Sequence, residues 1–177
     1  MNRKYFLAAA SGITGSIFLP NLIHSQTGPK DGNESLKRID PEPYKPEIVK
    51  EFVVAGHKDL DKVKSMLIDY PNIIHGSNDW GNGDFESAIE GAGHMGRKDI
   101  AQFLIDSCSR PSIFVMTMLG RTDLVKPILE TYPKLIFANG PHGFTLLHHA
   151  KQGGKDGEEL MNYLQDKGLD QTWIKIK

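Results

Sequence analysis

The side chains with the most chemistry in this 177-residue chain are its seven histidines and the carboxylates near them. Glu90 and His94 stand four apart, a spacing that puts an acid and an imidazole on one helical face. Such a pair can do general acid–base work or donate to a metal ion, and it can equally be a simple helical pair. His148 and His149 are adjacent, with His142 six residues earlier. Neighbouring histidines on a helix point about 100° apart, so both rarely ligate one ion. If the chain were a small metal-binding protein or a hydrolase, Glu90, His94, His142 and His149 would be the residues to build it from. His-x-x-Glu metal spacings, phosphate-cradling glycine loops and the serine elbow are all absent. The single cysteine, Cys108, excludes an intramolecular disulfide and a thiolate-rich zinc site, and it sits in no nucleophile motif.

A second group is acidic and aromatic. Trp80 lies among Asp79, Asp84, Phe85 and Glu86. An exposed tryptophan beside carboxylates makes an interface anchor; the same tryptophan folded back over its neighbours makes core. Both readings stand, and Phe144 poses the same choice. The run Glu90-Gly-Ala-Gly-His94 places two glycines in a helical segment, at about 1 kcal/mol each relative to alanine. Close helix packing or close approach of a ligand would explain them.

The elements that must position these residues repeat. Asp61-Lys-Val-Lys-Ser-Met-Leu-Ile-Asp-Tyr-Pro-Asn-Ile-Ile74 and Asp123-Leu-Val-Lys-Pro-Ile-Leu-Glu-Thr-Tyr-Pro-Lys-Leu-Ile136 are identical at seven of fourteen positions. Weaker copies begin at Asp99 and Glu158, so the starts fall at 61, 99, 123 and 158. The mean step, near 33, is the period of a helix-pair repeat. Each copy reads as a helix. An acidic residue opens it, where the helix dipole favours negative charge. Val63 and Leu67, Val125 and Leu129, and Leu160 and Leu164 share one face, and Pro71 and Pro133 end the first and third copies. A shorter helix precedes each one: Ile48–Gly56, Ser87–Ala92, Ser112–Gly120 and Thr145–Ala150. The 24-residue step between the second and third copies leaves little room for a hairpin loop around Arg110-Pro111. Asn78–Glu86 is by contrast a long loop, and Pro127 sits early in its helix.

Thr145-Leu-Leu-His-His-Ala150, followed by Gly153-Gly154, closely resembles the Thr-Pro-Leu-His-x-Ala signature of ankyrin repeats. The resemblance covers roughly 47–170. With Gly140-Pro-His-Gly143 beside it, the chain also resembles small bacterial exported ankyrin-repeat proteins. The resemblance implies an all-α stack of about four helix-turn-helix repeats that binds another protein through its concave face and hairpin tips, without catalysis or cofactor. It makes His148 the structural histidine of the signature and His149 the variable residue facing the groove. On this reading the binding face comprises Trp80, Asp84, Glu86, His94, Thr117, His142, Phe144, His149 and Lys151, and no metal ligand is assigned.

The remaining readings concern compartment and partner. Residues 1–26 have the tripartite plan of a secretory signal: Arg3-Lys4, a mildly apolar run to Leu19, then Pro20 and small or polar residues. Arg3-Lys4-Tyr5-Phe6-Leu7 resembles a twin-arginine signal with lysine in the second place, which points to the periplasm. The run is shorter than the roughly 20 residues that span a bilayer. Residues 27–46 hold four prolines and two aliphatic residues, an extended linker, and the repeat domain follows as 47–177. The 21 basic residues fall to 19 without Arg3 and Lys4, against 22 acidic, for a net −3. That balance argues against nucleic acid as partner, and the expected state is a monomer.

Overall fold

The computed structural model describes residues 41–176, so the expected signal at 1–26 and most of the linker lie outside the described residues. Residues 41–45 have no regular structure, and Pro46, the last residue of the expected linker, is the first of a helix. Among the described residues there are eight α-helices: α1 (Pro46–Gly56), α2 (Leu60–Asp69), α3 (Ala88–His94), α4 (Lys98–Asp106), α5 (Ile113–Met118), α6 (Thr122–Thr131), α7 (Leu146–Gln152) and α8 (Glu158–Asp166). They contain no helix long and apolar enough to cross a membrane.

The eight helices form four pairs, α1/α2, α3/α4, α5/α6 and α7/α8, and the second members begin within a residue of the starts read from the sequence. Tyr70 and Tyr132 close α2 and α6, and Pro71 and Pro133 each open a 3₁₀ turn, as a residue without an N–H can. The first members stack in order, α1 on α3, α3 on α5 and α5 on α7. Each helix buries one stripe: Val63 and Met66 from α2, Val125 and Leu129 from α6, Leu160 and Leu164 from α8. The stripe of α2 meets Phe52, Ile89, Ile100 and Leu104 in one cluster of the core, and those of α6 and α8 meet Leu146 and Leu147 in a second.

Two links share one chemistry that the sequence reading passed over. Gly96-Arg97-Lys98-Asp99 and Gly120-Arg121-Thr122-Asp123 each put a left-handed glycine after the first helix, at φ of 68° and 69°. The next N–H reaches back five residues on the cap pattern, Arg97 to the Ala92 carbonyl and Arg121 to that of Met116. Each arginine then holds the aspartate two residues on, at 2.7 Å. Cys108 takes the same left-handed place after α4, with φ of 70°.

The all-α expectation is corrected at one place. The long loop forms a two-stranded antiparallel hairpin, β1 (Ser77–Asp79) and β2 (Phe85–Ser87), pairing Asn78 with Glu86. Gly81, Asn82 and Gly83 all have positive φ, which lets so tight a turn close. The hairpin carries Glu86 inward and leaves Phe85 exposed.

The short third pair sets the geometry of the site. With α5 only six residues long, α3 also touches α7 across it. Lys98 Nζ spans the same gap, donating to the Gly153 carbonyl at 2.7 Å and to Asp156 at 2.6 Å. His148 Nε2 donates to the His94 carbonyl at 2.9 Å. The fourth pair is thereby drawn over the second, and the loop ahead of α7 reaches the β-hairpin.

Candidate metal centre

Four side chains from the first two pairs, the β-hairpin between them and the loop ahead of α7 converge on one point: His57, Glu86, His94 and His142, each with a ligand atom within 4.8 Å of the others. His57 follows α1, Glu86 sits on β2, His94 ends α3, and His142 lies in the turn Pro141–Gly143. Glu86 is 0% exposed and His94 8%, while His57 and His142 form the rim at 20% and 29%.

Surrounding groups fix how the imidazoles face. His57 Nδ1 donates to the Val53 carbonyl at 2.9 Å, so the proton of the neutral ring is on Nδ1 and Nε2 keeps its lone pair. His142 Nδ1 donates to Asp84 Oδ2 at 2.8 Å, with the same result. Asp84 Oδ1 also accepts the His142 backbone N–H at 2.8 Å, so one carboxylate grips ring and backbone together. Both Nε2 atoms lie 3.3 Å from Glu86 Oε2, which already accepts the Trp80 Nε1–H at 2.8 Å. His94 Nε2 lies 3.0 Å from His57 Nε2 and 2.8 Å from Glu86 Oε1, yet Oε1 has no aligned hydrogen bond.

These distances gather acceptors. With neutral rings, the lone pairs of two Nε2 atoms and both Glu86 oxygens face one centre, and His94 Nε2 can bring at most one proton. Like lone pairs at about 3 Å in a buried site repel unless a cation lies between them. A proton is one such cation. The hydrogen bond to Glu86 raises the His57 pKa above the usual 6.5, against the opposing effect of burial. Burial alone would push the Glu86 carboxyl up. Hydrogen bonds and charge from His57 and His94 together outweigh it and hold the group well below the carboxylate range. A divalent metal ion is the other. Three imidazole nitrogens and one carboxylate oxygen are a zinc-type donor set, and Asp84 behind His142 and the Val53 carbonyl behind His57 are the outer partners that ligating histidines use.

Glycine makes room for one ligand. A Cβ on Gly91 would lie 2.8 Å from the His57 ring. Of the two explanations read from the sequence, close packing is the one seen at Gly91, against the His57 ring that follows α1. Gly93 instead lies against Val115, where a Cβ would meet Cγ2 at 3.1 Å.

The residues expected to line a binding face are placed differently from one another. His94, His142 and Glu86 join the cluster, and Asp84 and Trp80 hold its members. Phe144 stacks between His94 and His148, with centroids at 5.1 and 4.1 Å. Thr117 is buried and bonded to the Ile113 carbonyl. Lys151 is exposed. Glu86, His94, Thr117 and His149 are all buried, so these four present no open surface to a partner. Glu90 of the rival set also stays out of the cluster, accepting from the Ser87 N–H and hydroxyl at the start of α3.

His149 reverses its expected role. It is buried against Phe114, with Nδ1 donating to the Thr145 carbonyl, while its neighbour His148 is half-buried. Burial pushes the His149 pKa down to about 4. Unfolding frees the ring to take a proton below pH 6.5, which the folded ring resists until about pH 4. Stability therefore falls as pH drops through that window, by on the order of 3 kcal/mol for the full shift. His149→Gln is expected to remove this slope, as urea unfolding at pH 7, 5.5 and 4.5 would show.

His57 was missed by reading the sequence. A signal was present: it precedes His94 by 37 residues, close to the 38 between the helices at 61 and 99, so the two are near-stacked positions. No family model matches this chain, and comparisons with curated proteins and with solved structures find no significant match.

Proposed function

We propose that this chain is an ankyrin-type stack of helical hairpins stapled by one divalent first-row transition metal ion, zinc in the first instance. Its ligands are His57 Nε2, Glu86, His94 Nε2 and His142 Nε2. The observation that carries the reading is the facing set of acceptors, two of them fixed in the ligating tautomer by Val53 and Asp84. Four protein ligands complete the tetrahedral set of structural zinc sites, so the ion's work is to hold the first, second and fourth hairpins together rather than to turn over a substrate. The protein-binding reading then belongs to the loop tips, where Phe85 is exposed, and export to the periplasm belongs with it as read from residues 1–26.

Chelator-stripped protein is expected to take up one equivalent of zinc or cobalt(II), with the strong visible absorption of four-coordinate cobalt. Zinc at a hundredfold over its Kd should add about 2.7 kcal/mol to unfolding stability. Absence of stoichiometric uptake would overturn the reading. Gly91→Ala should keep the helix and weaken zinc binding roughly 10- to 100-fold by displacing the His57 ring, checked by competition with a chromophoric chelator.

A further inference from the structure

The segment after α8 returns to the metal loop and ties it down. Thr145 donates its N–H to the Thr172 carbonyl at 3.1 Å and its hydroxyl to that of Gln171 at 2.6 Å. Ile174 N–H donates to the Gly143 carbonyl at 2.8 Å, and Trp173 Nε1 donates to the carbonyl of His142 itself at 2.7 Å. Phe144 and Trp173 form an isolated antiparallel bridge. This strap therefore contacts residues 142–145 in succession.

The loop needs such a hold. His142 has φ of 58°, a left-handed conformation that L residues avoid, and Gly143 follows at 80°. A Cβ on Gly143 would lie 2.0 Å from the Ile174 carbonyl oxygen, so the strap passes where only glycine fits. Within the loop, Gly140 N–H to the Phe144 carbonyl and Gly143 N–H to the Gly140 carbonyl are the closing bonds. Asp84 grips His142 from the hairpin side and Trp173 from the other.

We infer that the strap formed by residues 172–176 regulates the metal centre, Trp173 acting as the positioning residue that keeps His142 in its ligating conformation. The inference rests on the metal reading above. Because ligand and strap act on the same strained residue, their effects are reciprocal: the strap tightens metal binding, and the metal tightens the strap by the same factor.

The test uses the full chain with zinc as the probe, in three forms: wild type, Trp173→Phe, and a chain ended after Gln171. Zinc affinity by chelator competition is expected to fall about tenfold for Trp173→Phe, which keeps the ring and loses the N–H, and about 100-fold for the shortened chain. Zinc should slow exchange of the Ile174 amide at least tenfold in wild type. A strap that merely adds general stability would lower unfolding midpoints yet leave the zinc affinity of the folded variants within twofold of wild type, and that result would overturn the inference. Unchanged Ile174 exchange on zinc addition would overturn it as well. Failure of wild type to bind zinc at all would instead strike the metal reading itself.

Discussion

Glu86→Gln is expected to lower zinc affinity by about 100- to 1000-fold while the fold persists. Structural zinc sites gain roughly 10–16 kcal/mol from four ligands, so one ligand carries about 3 kcal/mol. Glutamine keeps the shape and an oxygen that Trp80 Nε1 can still reach, so the loss isolates the charge. The metal-free protein gives a second readout. The Glu86 pKa is lowered, so its contribution is present above about pH 4.5 and disappears as pH falls through the folded value. That of His57 is raised, so its contribution is present below about pH 6.5 and disappears as pH rises through the folded value. The pair thus stabilises the metal-free chain most between these limits, by about 2 kcal/mol for a half-open buried pair. Urea unfolding of chelator-treated protein from pH 4 to 9 should show wild type and variant furthest apart near pH 5.5. A difference that stays flat across the range would mean Glu86 is not paired as described.

Gly120→Ala is expected to cost about 3 kcal/mol or more. A Cβ there meets the Asp156 carbonyl oxygen at 2.1 Å, and φ of 69° already strains any L residue. The clash falls between the third pair and the turn before α8, so the last two pairs must separate. Gly168→Ala is the control. Its φ is 89°, but no atom lies within 4 Å, so only the backbone cost of about 1 kcal/mol remains. Denaturant midpoints of the two variants should differ accordingly, and equal losses would refute the steric account.

The helices were legible because their information is local. Val63 with Leu67, Leu160 with Leu164, and the Tyr-Pro stops at 70–71 and 132–133 carry period and boundary within a dozen residues. The His/Glu cluster was only half legible. His94 and His142 drew attention as histidines, and Glu86 did so only as a loop carboxylate. What joins them is the contact of α7 with α3 and of the loop before α7 with the β-hairpin, and no spacing in the sequence states that. The role of His149 was misread for a related reason. In the fold His149 is buried and meets the Phe114 ring instead of solvent. The turn at 81–83 showed its glycines plainly, yet a two-stranded ribbon in place of a bare loop depends on pairing between Asn78 and Glu86.

The proposed ligands are spread from residue 57 to residue 142. An unfinished chain holding only the first two hairpins offers three of the four. Full-affinity capture of the ion must therefore wait until the loop before α7 has been made and seated. Under the proposed metal and export readings, the ion would become a record of where maturation ended. A chain that crosses a membrane in its native shape carries whichever metal the compartment of synthesis supplies. One threaded across as an open polymer loads from the far side. Metal content of protein recovered from each compartment would read out the route taken.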